Sequence, residues 1–385
     1  MKFLFASDSF KGTLSSTEIS DLLEISAFRH FPGCSCVKVP IADGGEGTID
    51  AIMRAAGGTY RQVTVHGPLF EERISSYGII DQKKVIIEMA AASGLPLVPD
   101  KLRDPMKTTT YGTGQLIRDA LDLGFRHITV AIGGSATNDG GMGAMIALGA
   151  RFLDADGRQL KGIGADLYHV SDIDLTHLHP AVKETEFTVM CDVNNPLTGS
   201  NGATYTFGSQ KGANEVSLSL LETGMKNYAA LIKRKFSIDV DSMPGAGAAG
   251  GLGAALTVFL NARLRSGIET VLDLIHFDDL LKDVDLVVTG EGRIDWQSAC
   301  GKVPAGIGRR CQKAGIPAVA IVGGMGRGAE EIYSHGISSI LPTINADMDI
   351  AEAMHRSAEL YADEARTSAR DSLLRAFVPR KRESR

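Results

Sequence analysis

The sequence predicts an α/β protein in which a doubly wound parallel sheet, built from both ends of the chain, is interrupted by an inserted α+β domain. Two patterns carry this reading. Near both ends, short runs of Val, Ile, Leu and Phe close on polar or glycine-rich turns and alternate with helical patterns, as buried parallel strands and crossover helices do. Between them, residues 60–65, 73–80 and 85–89 alternate apolar and polar side chains across turns such as Gly67-Pro68. That is the pattern of an antiparallel meander.

Taken in chain order, residues 2–6 form the first strand. Ser15 and Ser16 followed by Glu18 make a capping box for a helix running towards Phe28. A strand follows at 37–42, and a helix at 48–56. Helix 113–123 precedes strand 128–132, and strand 187–190 comes later. Towards the end, strands at 286–289, 318–322 and 339–342 enclose a helix that starts at Pro304 and stops before Gly315 and Pro317. The terminal strands give a parallel sheet of about five strands. The expected division is 1–60 with 270–375 for the parallel domain, 61–269 for the insertion, and a basic tail at 376–385.

Composition excludes several classes. Of 385 residues, 44% are hydrophobic and 22% charged, as in a globular protein. A formal net charge of -6 leaves no electrostatic footprint for nucleic acid. The five cysteines are odd in number and mostly scattered, which suits a reducing compartment better than a disulfide framework. The first apolar run breaks at Ser7-Asp8-Ser9, too soon for a signal peptide or a membrane span. A cytoplasmic protein is therefore expected. The excess is in glycine, 44 residues, gathered into short loops.

Those loops follow expected strands, where open α/β sheets bind ligands. They are Ser7-Asp8-Ser9-Phe10-Lys11-Gly12-Thr13, Ala42-Asp43-Gly44-Gly45-Glu46-Gly47-Thr48, Gly290-Glu291-Gly292-Arg293-Ile294-Asp295 and Gly323-Gly324-Met325-Gly326. The insertion adds Gly133-Gly134-Ser135-Ala136-Thr137-Asn138-Asp139-Gly140-Gly141 and Cys191-Asp192-Val193-Asn194-Asn195. One Gly-Asp loop is most simply a turn. Six of them describe a crevice of backbone N–H groups, carboxylates and a few cations, the mixture that phosphoryl transfer needs. Lys11, Lys211, Arg293 and Lys302 are the candidate counter-charges.

Two motifs mislead. Gly245-Ala246-Gly247-Ala248-Ala249-Gly250 satisfies G-x-G-x-x-G, but residues 237–243 before it make a poor strand and Pro244 interrupts them. A dinucleotide fold is disfavoured, and a loop capping helix 251–261 is expected. Gly301-Lys302 lacks the upstream glycine and following hydroxyl of a P-loop. The histidines form no metal set.

Together these loops, with Gln210-Lys211-Gly212-Ala213, resemble the glycerate kinase type I family over nearly the whole chain. The resemblance implies an ATP- and Mg²⁺-dependent kinase that phosphorylates D-glycerate, giving the 2-phosphate. It also implies a flavodoxin-like domain, an inserted domain and an active site between them. Trp296-Gln297-Ser298 and Ser209-Gln210 depart from the family pattern without removing an ionisable group. Rival readings are a kinase for another small sugar acid, a non-catalytic nucleotide sensor and, on one glycine motif, an NAD-linked oxidoreductase.

Within that chemistry, Asp192 is assigned as general base or orienting carboxylate because it follows a buried strand. Asp43 and Asp295 are assigned to Mg²⁺, with Glu46 second and Asp8 able to exchange with Asp43. Lys11 and Arg293 are assigned to the transferring phosphoryl group or the glycerate carboxylate. ATP phosphates fall to Gly133, Gly134, Ser135, Thr137 and Asn138, and to Gly245, Gly247 and Gly250.

Overall fold

The computed structural model describes residues 1–42, 48–299, 301–344 and 348–370. The chain divides into two compact units. One comprises Met1–Asp43, Asp50–Ala56 and Gly267–Arg385; the other comprises Gly44–Ile49 and Gly57–Ser266.

The first unit holds five parallel strands in the order Ile337–Pro342, Ala318–Val322, Leu286–Gly290, Lys2–Ser7, Ser35–Lys38. Alternation along the strands sends Phe3, Phe5, Leu286, Val288, Val319 and Ile321 into one cluster. Ile19, Leu23 and Ala27 of helix Ser16–His30 cover it, with Tyr361 and Ala365 of helix Ser357–Arg370. Leu4 and Val287 alternate to the other side and are equally buried. Helix Val303–Ala314 packs on these strands, with Pro304 in its first turn and Gly315 as its left-handed stop.

The capping box expected at Ser15 is present. The Glu18 amide donates to Ser15 Oγ at 3.2 Å, and the Ser15 amide donates to the Glu18 carboxylate at 2.8 Å. The second strand differs from expectation. It runs Ser35–Lys38 rather than 37–42. Val39 still donates to Phe5 O at 2.9 Å, but Pro40 has no N–H to continue the ladder. The Ile41 amide turns instead to Ser16 Oγ at 3.2 Å. This edge strand carries Lys38, paired with Asp21 and Glu24, a charge that discourages further strand pairing.

The second unit is built on a mixed six-stranded sheet in the order Arg263–Arg265, Glu186–Met190, His127–Ala131, Lys84–Glu88, Glu72–Ile80, Thr59–His66. The first four are mutually parallel. The last two complete the antiparallel meander expected between 60 and 89. Helix Tyr111–Asp122 packs Leu116, Ile117 and Ala120 into the core with Val85, Ile128 and Phe187. The long helix Glu215–Phe236 was not anticipated. It starts at an Asn214 cap and buries Leu221, Met225, Tyr228 and Ile232, a helical period interrupted by Glu222. Burial of Glu222 is offset by the Gly199 amide at 2.7 Å and Lys226 at 3.5 Å. No helix among the described residues is long and apolar enough to cross a membrane.

Replacing Ser15 by alanine should cost the first unit about 1 kcal/mol. A denaturant titration reading that unit's transition checks this; an unchanged midpoint would remove the capping box from the account of helix Ser16–His30.

Candidate active site

In the first unit the chain leaves the strand Lys2–Ser7 towards Ser35–Lys38 on one side and later returns on the other at Leu286–Gly290. The sheet therefore reverses its order beside the first strand, the position where ligands bind in open α/β sheets. The Asp8 amide bonds Gly290 O at 2.9 Å, so the two strands release their loops side by side. A cavity of about 600 Å³ opens there, lined by Asp8, Lys11, Glu291, Arg293 and Lys302 and by the apolar Phe10, Met325 and Met354. Asp8 Oδ1 accepts the Ser9 amide at 2.7 Å, a local turn that fixes the carboxylate. Lys302 Nζ lies 3.7 Å from the nearly buried carboxylate of Glu291. Arg293 is held by a two-residue bridge in which Arg293–Ile294 pairs with Gly324–Met325.

Asp295 is not among the residues lining that cavity. Its Oδ1 accepts the Gln297 amide at 2.9 Å and its own amide donates to Ser298 Oγ, so it starts the short helix Trp296–Ala299. Asp43 and Glu46 lie outside the described residues. Among the described residues no three His, Cys, Asp or Glu side chains converge. Mg²⁺ does not require such a cage, since it usually takes one or two carboxylates and completes its shell with water and phosphate. The available donors are hard oxygens, which fits that ion.

The second unit has its own polar edge. The register pairs Ala131 with Met190, Glu88 with Ala131, and Arg265 with Met190. Gly133 and Asp192 therefore leave neighbouring parallel strands at the same level. Gly133, Gly134 and Asp192 are exposed and Ser135 half-buried. Around Ser135, Leu95 donates to Gly134 O at 2.8 Å and Ala136 to Ser93 O at 2.9 Å. Among the described residues, the amides of Gly133, Gly134 and Ser135 donate to no other group of the chain. Three consecutive unspent N–H groups at a strand end form a ready seat for an anion.

Behind this tip the loop is closed to solvent. Asp139 is wholly buried, and its carboxylate accepts the Thr110 amide (2.8 Å), the Thr110 hydroxyl (2.7 Å), and the amides of Gly141 (3.1 Å) and Gly143 (3.2 Å). Burial still raises its pKa, against the pull of those donors. Thr108 Oγ1 donates to Ala136 O at 2.9 Å, and Thr109 Oγ1 to Gly162 O at 2.6 Å. Lys211, only 2% exposed, donates from Nζ to Ser135 Oγ at 2.8 Å and to Thr137 O at 2.7 Å. Loss of hydration pushes its ammonium down to about 7, while Asp139 acts in the opposite sense.

The structure thus separates the residues assigned to ATP. Thr137 and Asn138 are fully buried, and Asn138 Nδ2 donates to Thr204 Oγ1 at 3.2 Å. Gly247 and Gly250 face the protein: a Cβ would stand 2.1 Å from Pro196 O and 2.1 Å from Thr137 O, respectively. A Cβ at Gly245 would stand 3.2 Å from each of Cys191 Sγ, Leu264 and Val193 O. The segment 237–243 forms no strand, and helix Leu252–Leu260 follows between left-handed Gly251 and Asn261. The roles of Thr108, Thr109 and Thr110 carried no sequence signal beyond their being polar, and Asp139 stood out only as one carboxylate of the loop 133–141, with nothing to mark it as buried.

Residues 3–372 match the model of the glycerate kinase family. Glycerate 2-kinase of Escherichia coli K12 is 45% identical, the match covering 92% of this chain and 93% of the relative. Glycerate kinase of Halalkalibacterium halodurans is 41% identical over 95% of this chain and 97% of its own length. A crystal structure assigned to glycerate kinase 2 of Salmonella typhimurium LT2 superposes with a TM-score of 0.84 at 42% identity, covering 98% of both chains. The chain belongs to the glycerate kinase family.

Proposed function

We propose that this protein transfers the γ-phosphoryl group of ATP to a hydroxyl of D-glycerate, giving 2-phosphoglycerate and ADP. The observation that carries the reading is the trio of unspent amides at Gly133, Gly134 and Ser135 beside the exposed carboxylate of Asp192. Phosphoryl transfer asks a protein mainly for position and charge compensation. In this reading the trio seats nucleotide phosphate oxygens. Asp192 orients the acceptor hydroxyl and takes its proton as the new P–O bond forms. Thr137 and Asn138 are buried beneath the trio, and Gly250 supports them through its contact with Thr137 O, whereas Gly245 and Gly247 pack on Cys191 and Pro196.

Lys11 and Arg293 receive the anionic groups at the cavity of the first unit, where the Arg293 fork suits a carboxylate. Asp295, with Asp43, would hold Mg²⁺, which would supply charge neutralisation at the phosphates. Counted within the first unit, the strand order reads 2-1-3-4-5, which supports a flavodoxin-like, doubly wound domain. The parallel domain would then comprise 1–60 and 270–375, with 61–269 inserted.

ADP release measured with a panel of hydroxy acids tests the function. D-glycerate should give the highest kcat/KM; a better sugar acid, or no ADP with any acceptor, would overturn the assignment. The Lys11→Ala variant should lose on the order of 10²–10³ in turnover, and near-normal turnover would remove Lys11 from the reaction. For Asp192→Asn, turnover at saturating substrate should fall roughly 10²–10⁴-fold; a change confined to KM would make Asp192 a binding group. Asp295→Ala should raise the Mg²⁺ concentration for half-maximal rate by about tenfold or more, and an unchanged requirement would release Asp295 from metal binding.

A further inference from the structure

We infer that Lys211 is a positioning residue that completes the Gly133–Ser135 anion seat from below, taking up a proton as a phosphate-bearing ligand binds. The inference rests on the reading that this loop holds the nucleotide phosphates, and extends it to a buried group that the reaction itself does not touch.

The geometry comes first. Lys211 Nζ reaches the underside of the loop through two bonds, to Ser135 Oγ and to Thr137 O. A serine hydroxyl that accepts from below keeps its own hydrogen to give elsewhere. Ser135 is half-buried and follows two exposed glycines, so that hydrogen can join the three unspent amides. One lysine thereby converts an ambivalent hydroxyl into a fourth donor for the same anion.

The charge follows. Two donated bonds use both N–H groups of a neutral amine and leave the third of an ammonium to spare, and burial brings the two forms into balance near neutrality. Asp139 on the loop is the one charged group acting on Lys211 among the described residues, and it favours the ammonium. Helix Ala203–Phe207, packed against the turn Ser209–Lys211, offers only the exposed Tyr205. Arg103, whose carbonyl lies against Gly212, is engaged by Asp100 at 2.7 Å. Among the described residues no second carboxylate holds the proton on Lys211, so a phosphate seated on the loop supplies the missing negative charge. Proton uptake then belongs to ligand binding, and affinity for the nucleotide falls as pH rises above about 7.

Calorimetry of ADP binding with Mg²⁺ at pH 8, in two buffers of different ionisation enthalpy, reads this directly, because the nucleotide is then already ionised. The wild-type protein should take up roughly half a proton or more per site. Lys211→Met should bind about 10- to 100-fold more weakly, take up no proton, and lose the decline in affinity between pH 7 and 9. Lys211→Arg, permanently charged, should restore affinity without uptake. Gly134→Val tests the underlying reading, since Gly134 has φ +73° at the exposed tip, where a branched side chain is strained and obstructs the seat. If Gly134→Val binds ADP normally, the seat is elsewhere and both readings fall. If Gly134→Val binds weakly while Lys211→Met matches wild type in affinity and uptake, only the role of Lys211 falls. Absence of uptake by the wild-type protein overturns that role without any variant.

Discussion

A carboxylate withdrawn from water must be met by donors or it destabilises the fold that holds it. Asp139 meets that condition with four of them, drawn from Thr110 on one segment and from Gly141 and Gly143 on its own. The Thr110 hydroxyl also accepts the Ala144 amide at 2.9 Å, which ties the entry of helix Met142–Ala147 to the same point. The loop that carries Gly133, Gly134 and Ser135 is therefore fixed from behind. Its amides need little rearrangement to meet an anion, which is the condition under which such donors contribute most to binding and catalysis.

Glycine serves two purposes in this chain, and composition does not distinguish them. At Gly133 and Gly134 it leaves backbone N–H groups open to solvent. At Gly247 and Gly250 it lets one stretch of backbone lie against another, leaving no room for a Cβ beside Pro196 O and Thr137 O. The segment 245–250 matches a dinucleotide fingerprint in letters, yet Gly250 lies against Thr137 O and accepts the Gly140 amide at 2.9 Å, backing the loop 133–141, while Gly247 packs on Pro196.

Much of the architecture was legible because it depends on short-range patterns. Buried runs such as Leu286–Gly290 and Ala318–Val322, the Ser15 cap, and the Pro304 and Gly315 boundaries read directly from residue types. The second strand was misplaced because Val39 and Ile41 are buried beyond the ladder, and apolar periodicity reports burial rather than hydrogen bonding. Helix Glu215–Phe236 escaped because Glu222 sits on its buried face. At the site, the sequence marks which loops carry glycine, lysine and aspartate. It is silent on which carboxylate is sealed and which exposed: Asp139 and Asp192 are the same residue type after similar strands. Lys211 reads as one of four cations, and only the fold shows it beneath Ser135.

In the proposed reading the nucleotide's phosphates rest on the backbone of residues 133–135. Hydrogen–deuterium exchange of that segment, compared with and without ADP and Mg²⁺, addresses it most directly, since amides bonded to phosphate exchange slowly. Marked slowing is expected there, with D-glycerate alone giving none. Unchanged exchange at 133–135 under saturating ADP would contradict it.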